Sequence, residues 1–158
     1  MTAGQHRYRV HVAWSGNTGH GTASHRAYSR AHEVMADGKP PIAGSSDPAF
    51  RGDASRWNPE ELLLASLSAC HQLWYLGLCA AAGITVLAYA DHAEGWMTEE
   101  PSGAGQFTRV LLRPHATLAA GSDLAKARAL HDDAHRTCFI ARSVNFAVAH
   151  EPSFDVAP

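Results

Sequence analysis

The sequence predicts an α+β fold, because strand-like segments are interrupted twice by segments that carry helix start signals. Residues 7–15 alternate polar and apolar side chains, as a half-buried strand does. Asn58, Pro59 and Glu61 together form the start of a helix. Asp123 precedes a second segment whose apolar residues recur with helical spacing. The order strands, helix, strands, helix, strand differs from a repeating strand–helix alternation, so we expect hairpins and antiparallel sheets.

The first helix is expected to begin after Asn58 and to stop at Gly83. Asn58 is a good N-cap, Pro59 suits the first helical position, and Glu61 completes a capping box. Residues 62–82 carry apolar side chains around nearly the whole circumference, which is typical of a helix buried on most sides. In a chain of this size such burial is difficult without a second subunit, so we expect a homo-oligomer.

The remaining elements follow from alternation, turn residues and helical spacing. We expect a single domain over residues 1–158. The expected elements are a strand over 22–35, a loop over 39–52, a strand over 84–97, a hairpin loop over 99–105, a strand over 106–118, a helix over 124–137 and a strand over 144–150.

The composition is that of an ordinary soluble protein, with 46% hydrophobic and 18% charged residues and a formal net charge of -2. This balance predicts neither a nucleic-acid surface nor a polybasic membrane patch. The first residues lack the apolar region of a secretory signal, and no run reaches the roughly 18 consecutive apolar residues of a membrane span. We therefore expect a cytoplasmic protein. Three cysteines, an odd number, argue against a structural disulfide framework.

Two of the cysteines lie in helical segments that are far apart in the sequence. Cys70 lies inside the first predicted helix, and Cys138 closes the second. A peroxide-reducing enzyme needs such a pair, because one thiolate attacks the oxidant and the other thiol resolves the product as a disulfide. Each cysteine also has a simpler interpretation, since free cysteines are commonly small core residues. That interpretation fits Cys79 best, because nothing around it suggests chemistry.

A reactive thiolate at Cys70 would need a positive charge from outside its own helix, because it lies in the middle of that helix. Arg30 is the best candidate and Arg26 is its competitor, since a planar guanidinium can hold a thiolate and a peroxide oxygen together. Glu60 is the carboxylate expected to hold the arginine. Ten residues of helix separate Glu60 from Cys70 by roughly 15 Å, so Glu60 would serve the Cys70 of a neighbouring subunit. Alternatively, Glu60 merely favours its own helix N-terminus.

The 11 histidines are scattered, and we expect most of them to be exposed strand and turn residues. Cys70, His71, His135 and Cys138 could in principle supply four metal ligands. Structural zinc usually shows a tight ligand pair, and adjacent residues such as Cys70 and His71 point to different sides of a helix. We therefore expect no metal site and no cofactor.

The segments Asn58-Pro-Glu-Glu-Leu-Leu-Leu-Ala-Ser-Leu-Ser-Ala-Cys70-His71 and Ala134-His135-Arg-Thr-Cys138-Phe-Ile-Ala-Arg-Ser143 resemble those of the OsmC/Ohr family, the osmotically inducible and organic hydroperoxide resistance proteins. The order of elements and the length are similar across nearly the whole chain. The resemblance implies an intertwined α+β homodimer in which long central helices pack between sheets. Ohr-type members typically have Pro-Tyr-Ser after the second cysteine, so Phe139-Ile-Ala-Arg-Ser143 indicates an OsmC-like branch.

The resemblance also implies an activity, the reduction of organic hydroperoxides by cysteine chemistry. It implies Cys70 as the peroxidatic thiol and Cys138 as the resolving thiol, assisted by Arg30 and Glu60 from the positions that match the family. It implies as partners a small-molecule hydroperoxide, a dithiol reductant such as the dihydrolipoyl proteins used by some members, and a second copy of the chain. Two alternatives remain open: a binding module for a small apolar ligand, and a redox sensor without significant turnover.

Overall fold

The computed structural model describes residues 4–158. The single-domain prediction also includes residues 1–3, which lie outside the described residues. The chain forms two compact units that meet in sequence between Leu62 and Leu63. Each unit has its own sheets, and the first helix begins at the end of the first unit. A single domain over residues 1–158 stays a prediction.

The first unit contains a three-stranded antiparallel sheet in the order β1-β2-β3. Its strands are β1 (His11–Trp14), β2 (His32–Met35) and β3 (Ile42–Gly44). The strand predicted over 22–35 is wrong before His32, because residues 22–27 form turns and bends in which the Ala27 N–H donates to the Ser24 carbonyl at 3.0 Å. The loop predicted over 39–52 contains β3 and a short 3-10 turn, Pro48–Phe50.

The first helix, α1 (Pro59–Ala81), begins and ends where the sequence predicts. The Glu61 N–H donates to Asn58 Oδ1 at 2.7 Å, and the Asn58 N–H donates to Glu61 Oε2 at 3.2 Å, which is the reciprocal pair of a capping box. At the other end Gly83 has φ +75, the left-handed conformation that glycine adopts readily. The capping residues therefore determine both ends of the helix that carries Cys70.

The second unit contains six strands in two three-stranded sheets. The first sheet has the order β4 (Val86–Asp91), β7 (Pro114–Leu118), β9 (Ser153–Val156), and the second has the order β5 (Glu94–Glu99), β6 (Gly105–Leu112), β8 (Ala147–His150). Both sheets are mixed, because β7–β9 and β6–β8 are parallel pairs while the other pairs are antiparallel. This corrects the expectation of antiparallel sheets, and β9 was not predicted.

The two long strands predicted over 84–97 and 106–118 are wrong as continuous strands. Each splits into two strands that belong to different sheets. The Asp91 side chain lies at the break: its carboxylate accepts the Arg113 N–H at 2.7 Å and the Ser68 hydroxyl at 2.5 Å. These bonds replace backbone hydrogen bonds of the sheet at the point where both segments pass from one sheet to the other.

The second helix, α2 (Leu124–Thr137), has the predicted bounds. Asp123 caps it by accepting the Lys126 N–H at 3.0 Å. Its buried face packs with one face of α1 and with β7 in a common core. The buried residues of this core are Tyr75, Cys79, Ile84, Ala116, Leu118, Ala127, Leu130 and Ala134.

The buried residues of α1 recur every four residues and define a single face: Leu67, His71, Tyr75 and Cys79. The expectation that α1 is buried on most sides is therefore not met within one chain. Leu73, on the face opposite the buried one, is 71% exposed. By length and hydropathy α1 could also cross a membrane, a property that core helices of soluble proteins share. The exposed face remains apolar, with Ala65, Ala69, Leu73 and Gly77 at four-residue spacing.

Candidate active site

The second unit brings the thiols of Cys70 and Cys138 together. Cys70 lies on α1 and is partly exposed, whereas Cys138 follows the last residue of α2 and is buried. The Cys70 thiol lies near enough to Cys138 to raise the pKa of the Cys138 thiol. Neither cysteine is part of a disulfide. A partly exposed thiol near a buried one suits a two-step disulfide reaction.

The environment of Cys138 keeps this thiol protonated at neutral pH. Burial, followed by the neighbouring Cys70 thiol, raises the pKa of Cys138 to about 11. The two sulfurs thus have different surroundings, which suit different chemical roles.

The chain after α2 holds Cys138 in place through the backbone. The Cys138 N–H donates to the Ala134 carbonyl at 2.9 Å, which continues the helical ladder to this residue. Its ψ of 112 then takes the chain out of the helix. The Ala141 N–H donates to the Cys138 sulfur at 3.4 Å, and this bond lowers the cost of a thiolate at Cys138.

A pocket of about 340 Å³ lies beside the residues that carry the thiols. Its lining residues are Trp74, Arg136, Thr137, Phe139 and Arg142. Trp74 follows Cys70 by one helical turn, and Thr137 and Phe139 flank Cys138 in the sequence. Aromatic walls and guanidinium groups together could hold an apolar molecule near the sulfurs.

The predicted arginine, Arg30, belongs to the first unit and binds within its own loop. Its Nη1 donates to the carbonyls of His25 at 2.7 Å and Tyr28 at 2.8 Å. Its guanidinium also lies over the Tyr28 ring, 4.2 Å from the centroid. Its competitor Arg26 is exposed. The role of either arginine at a thiolate stays a prediction.

The predicted carboxylate, Glu60, also belongs to the first unit. Its Oε2 is buried and accepts no hydrogen bond from residues 4–158. Within the described residues of the first unit, Glu60 and Arg30 form no ion pair. A buried carboxylate oxygen without a donor is costly.

Cys79 has surroundings unlike those of the other two cysteines. It belongs to the core cluster shared by α1 and α2, and burial raises the pKa of its thiol. A thiol with a raised pKa in apolar surroundings is poorly reactive. The packing role predicted for Cys79 fits this environment.

The sequence reasoning missed a cluster of histidines in the second unit. His71 and His131 are buried, contrary to the expectation for most histidines, and His71 Nε2 lies 2.9 Å from His131 Nδ1. The ring centroids of His71 and His135 lie 5.4 Å and 5.7 Å from that of His150. The one signal available was the four-residue spacing of His131 and His135 on a helix. In residues 4–158 no set of three or more potential ligands has a metal-binding arrangement.

The sequence profile of the family described as "OsmC-like protein" matches residues 52–153, which is more than half of the chain. The match contains both helices and both candidate thiols. A search of curated proteins found no match.

Solved structures with the same fold include an OsmC-like protein of unknown function from Vibrio cholerae. It is 30% identical, with a TM-score of 0.85, and the alignment covers 94% of this chain and 99% of that one. An organic hydroperoxide resistance protein from Legionella pneumophila is 18% identical, with a TM-score of 0.68 and coverages of 97% and 99%. One from Elizabethkingia anophelis is 17% identical, with a TM-score of 0.68 and coverages of 97% and 99%. The last two similarities concern the fold alone.

Proposed function

Since this chain belongs to the OsmC-like protein family, we propose that it is a cysteine-based peroxidase that reduces organic hydroperoxides to alcohols. The observation that carries the proposal is that the partly exposed Cys70 lies near the buried Cys138, whose pKa is raised so that its thiol is protonated at neutral pH. Two structural neighbours named as organic hydroperoxide resistance proteins support it at the level of the fold.

In the proposed first step, the Cys70 thiolate attacks the distal oxygen of the hydroperoxide. The O–O bond breaks, Cys70 becomes a sulfenic acid, and the alkoxide leaves and takes up a proton to give the alcohol.

In the second step, the Cys138 sulfur attacks the sulfenic sulfur of Cys70. The disulfide forms and the sulfenic oxygen leaves as water. The Ala141 N–H, 3.4 Å from the Cys138 sulfur, favours the thiolate that this step needs. A dithiol, such as that of a dihydrolipoyl protein, then reduces the disulfide by two electrons and completes the cycle. We place this cycle in the cytoplasm, where such dithiols keep thiols reduced.

The complete site, in this proposal, requires a homodimer. The apolar exposed face of α1, which includes Leu73, is suited to pack against a second copy. Glu60 has a buried oxygen without a donor and cannot reach Cys70 along its own helix. We propose that Glu60 and Arg30 of the partner subunit complete the surroundings of Cys70 in an intertwined dimer.

The organic group of the peroxide would occupy the pocket beside the thiols. Trp74 and Phe139 provide its apolar walls, and Phe139 is 66% exposed. An alkyl or aryl group gains free energy by leaving water for such a surface, whereas hydrogen peroxide gains nothing there. The pocket therefore favours organic hydroperoxides over hydrogen peroxide.

The proposal is tested by peroxide consumption with cumene hydroperoxide and a dithiol. We expect turnover by the wild type and loss of at least a thousandfold in Cys70→Ser, since the nucleophile is removed. Cys138→Ser should stop after one equivalent without added small thiols, and Cys79→Ser is the matched control that keeps full turnover. Equal turnover by the wild type and Cys70→Ser would exclude the peroxidase.

A redox sensor is the second candidate, and the raised pKa of Cys138 favours it, because a protonated resolving thiol reacts slowly. The same assay separates the two functions. A sensor would form the Cys70–Cys138 disulfide once per chain and would not turn over, even with an excess of dithiol and peroxide.

A further inference from the structure

His71 and His131 form a buried hydrogen bond between the two helices of the second unit. His71 lies on α1 and His131 on α2, and their side chains are 1% and 0% exposed. The Nε2 of His71 and the Nδ1 of His131 are 2.9 Å apart, and the rings are nearly parallel, at 8°. One proton joins the two nitrogens, so the bond requires at least one of them to be an unprotonated acceptor.

The surroundings of His131 disfavour a second proton on its imidazole ring. Its Nε2 is buried and has no hydrogen-bond partner among residues 4–158. A neutral His131 avoids a buried N–H without an acceptor only if its proton is on Nδ1. In that tautomer the Nδ1–H donates to His71 Nε2, and Nε2 of His131 carries no proton. The His131 ring lies 3.7 Å from the Tyr75 ring and 5.7 Å from the Phe154 ring, centroid to centroid. A proton added at Nε2 would be a charge enclosed by aromatic rings, with no acceptor.

The titratable and charged groups around this pair do not compensate such a charge. From α2 these are Arg128, Asp132 and His135, from β8 His150, from α1 Tyr75 and Cys79, and from β4 Tyr89. The one carboxylate among them, Asp132, is exposed and bonds to His150 Nε2 at 3.0 Å. Burial, followed by the neighbouring histidines, lowers the pKa of His71 to about 4 and that of His131 to about 3.

The bond joins the same two segments that bring the thiols together. His71 directly follows Cys70, and His131 precedes Cys138 by seven residues, about two turns of α2. If α1 and α2 separate at the histidines, the sulfurs move apart as well, because both are held by these helices.

We propose that His71 and His131 are a positioning pair that holds Cys70 and Cys138 in contact only while both imidazoles are neutral, so that acid opens the thiol pair. A proton must either enter the enclosed His131 Nε2 or break the hydrogen bond between the helices. The second route releases the rings to water, where each binds a proton readily. The inference rests on the proximity of the two thiols and goes beyond the proposed peroxidase.

The test measures disulfide formation without any hydroperoxide. The reduced protein is equilibrated with a mixture of oxidised and reduced glutathione. In this exchange the Cys70 and Cys138 thiols are oxidised to a disulfide by two electrons, and glutathione disulfide is reduced to two glutathione thiols. The equilibrium constant is the effective concentration of the thiol pair, and it is determined from pH 7.5 to pH 5. The wild type is compared with the double variant His71→Gln and His131→Asn, in which the Asn amide N–H donates to the Gln amide oxygen and neither side chain titrates.

We expect the effective concentration in the wild type to fall about tenfold over this range and to stay constant in the double variant. His115→Gln, an exposed histidine of the same unit, is the matched control and should behave like the wild type. Equal pH dependence in the wild type and the double variant overturns the inference. If no disulfide forms even at pH 7.5, the resolving step of the proposed function fails as well, so the two failures are distinguishable.

A second measurement decides the matter if the double variant does not fold. Imidazole NMR signals of the wild type should show His71 and His131 neutral at pH 6, and they should be lost or shifted in the same pH range in which the disulfide equilibrium weakens. Protonation of both rings near pH 6.5 without any change in that equilibrium overturns the inference.

Discussion

The ring of Trp74 meets the ring of Phe139 edge to face, with 5.4 Å between the centroids and 84° between the planes. The contact joins the turn of α1 after Cys70 to the residue after Cys138. It therefore ties the segment that carries the buried thiol to the helix that carries the partly exposed one.

Replacing Phe139 with alanine should weaken the binding of aromatic hydroperoxides. An aromatic contact contributes about 0.5–1.5 kcal/mol beyond its buried area, so we expect KM for cumene hydroperoxide to rise about three- to tenfold. The rate with hydrogen peroxide should change little. Steady-state kinetics with both peroxides checks this, and Leu87→Ala, an exposed apolar residue on β4, is the control. An equal loss for both peroxides would show that Phe139 supports the thiols rather than the organic group.

The rate of disulfide formation should rise with pH. Since the pKa of Cys138 is raised to about 11, its thiolate fraction at neutral pH is very small and grows about tenfold per pH unit. We expect the resolving step to accelerate accordingly between pH 7 and pH 9. Single-turnover stopped-flow experiments with one equivalent of hydroperoxide measure it, and Cys79→Ser should give the same profile. A rate independent of pH would mean that Cys138 loses its proton by another route.

Local signals in the sequence were sufficient to predict both helices. Asn58 and Glu61 bond to each other across three residues, and Asp123 bonds to Lys126, so the capping information is contained in short segments. The place of Cys70 and Cys138 in two helical segments indicated a candidate thiol pair, and the resemblance to a known family implied the role of each thiol.

Contacts between distant residues explain what the sequence did not reveal. The Asp91 bond to the Arg113 N–H spans 22 residues, and it marks the break that divides each long strand between two sheets. The bond of His71 to His131 spans 60 residues, so neither histidine shows its burial in its own segment. Alternation along a strand predicts which face is buried, but it does not indicate where the strand changes sheets.

The stability of the folded chain should decrease in acid because of His71 and His131. Their folded pKa values, about 4 and about 3, lie below the ordinary value of 6.5, so the unfolded chain binds protons first as the pH falls. The two neutral imidazoles therefore contribute fully to the free energy of unfolding above about pH 6.5, and this contribution is lost as the pH falls towards 4. Between pH 7 and pH 5 the loss is about 2 kcal/mol per imidazole. Urea unfolding at several pH values measures this loss.

The double variant His71→Gln and His131→Asn should lose less stability over the same interval, because neither amide titrates. His115→Gln, which removes an exposed histidine, should lose as much as the wild type. A wild-type curve that is flat between pH 7 and pH 5 would contradict the assignment of these two histidines as buried neutral groups.

Replacing Leu73 with arginine should prevent dimer formation. Leu73 is 71% exposed at the centre of the apolar face of α1, and a buried unpaired charge at an interface is strongly unfavourable. We expect a folded monomer by light scattering, with peroxidase activity reduced at least tenfold, because in the proposed homodimer the partner subunit completes the site. Leu87→Arg changes an exposed leucine on β4 and should leave the oligomeric state unchanged. A Leu73→Arg dimer would place the interface elsewhere.

The adjacent carboxylates Glu60 and Glu61 should respond differently to the same substitution. Glu61 accepts the Asn58 N–H in the capping box, and a glutamine can form the same bond, so Glu61→Gln should keep both stability and activity. The buried Oε2 of Glu60 has no donor within residues 4–158, and in the proposed dimer Arg30 of the partner subunit supplies one. Glu60→Gln should therefore lower kcat/KM for organic hydroperoxides at least tenfold and leave the free energy of unfolding unchanged or slightly increased. If Glu60→Gln instead keeps full activity and loses about 0.5 kcal/mol of stability, Glu60 only favours the N-terminus of its own helix.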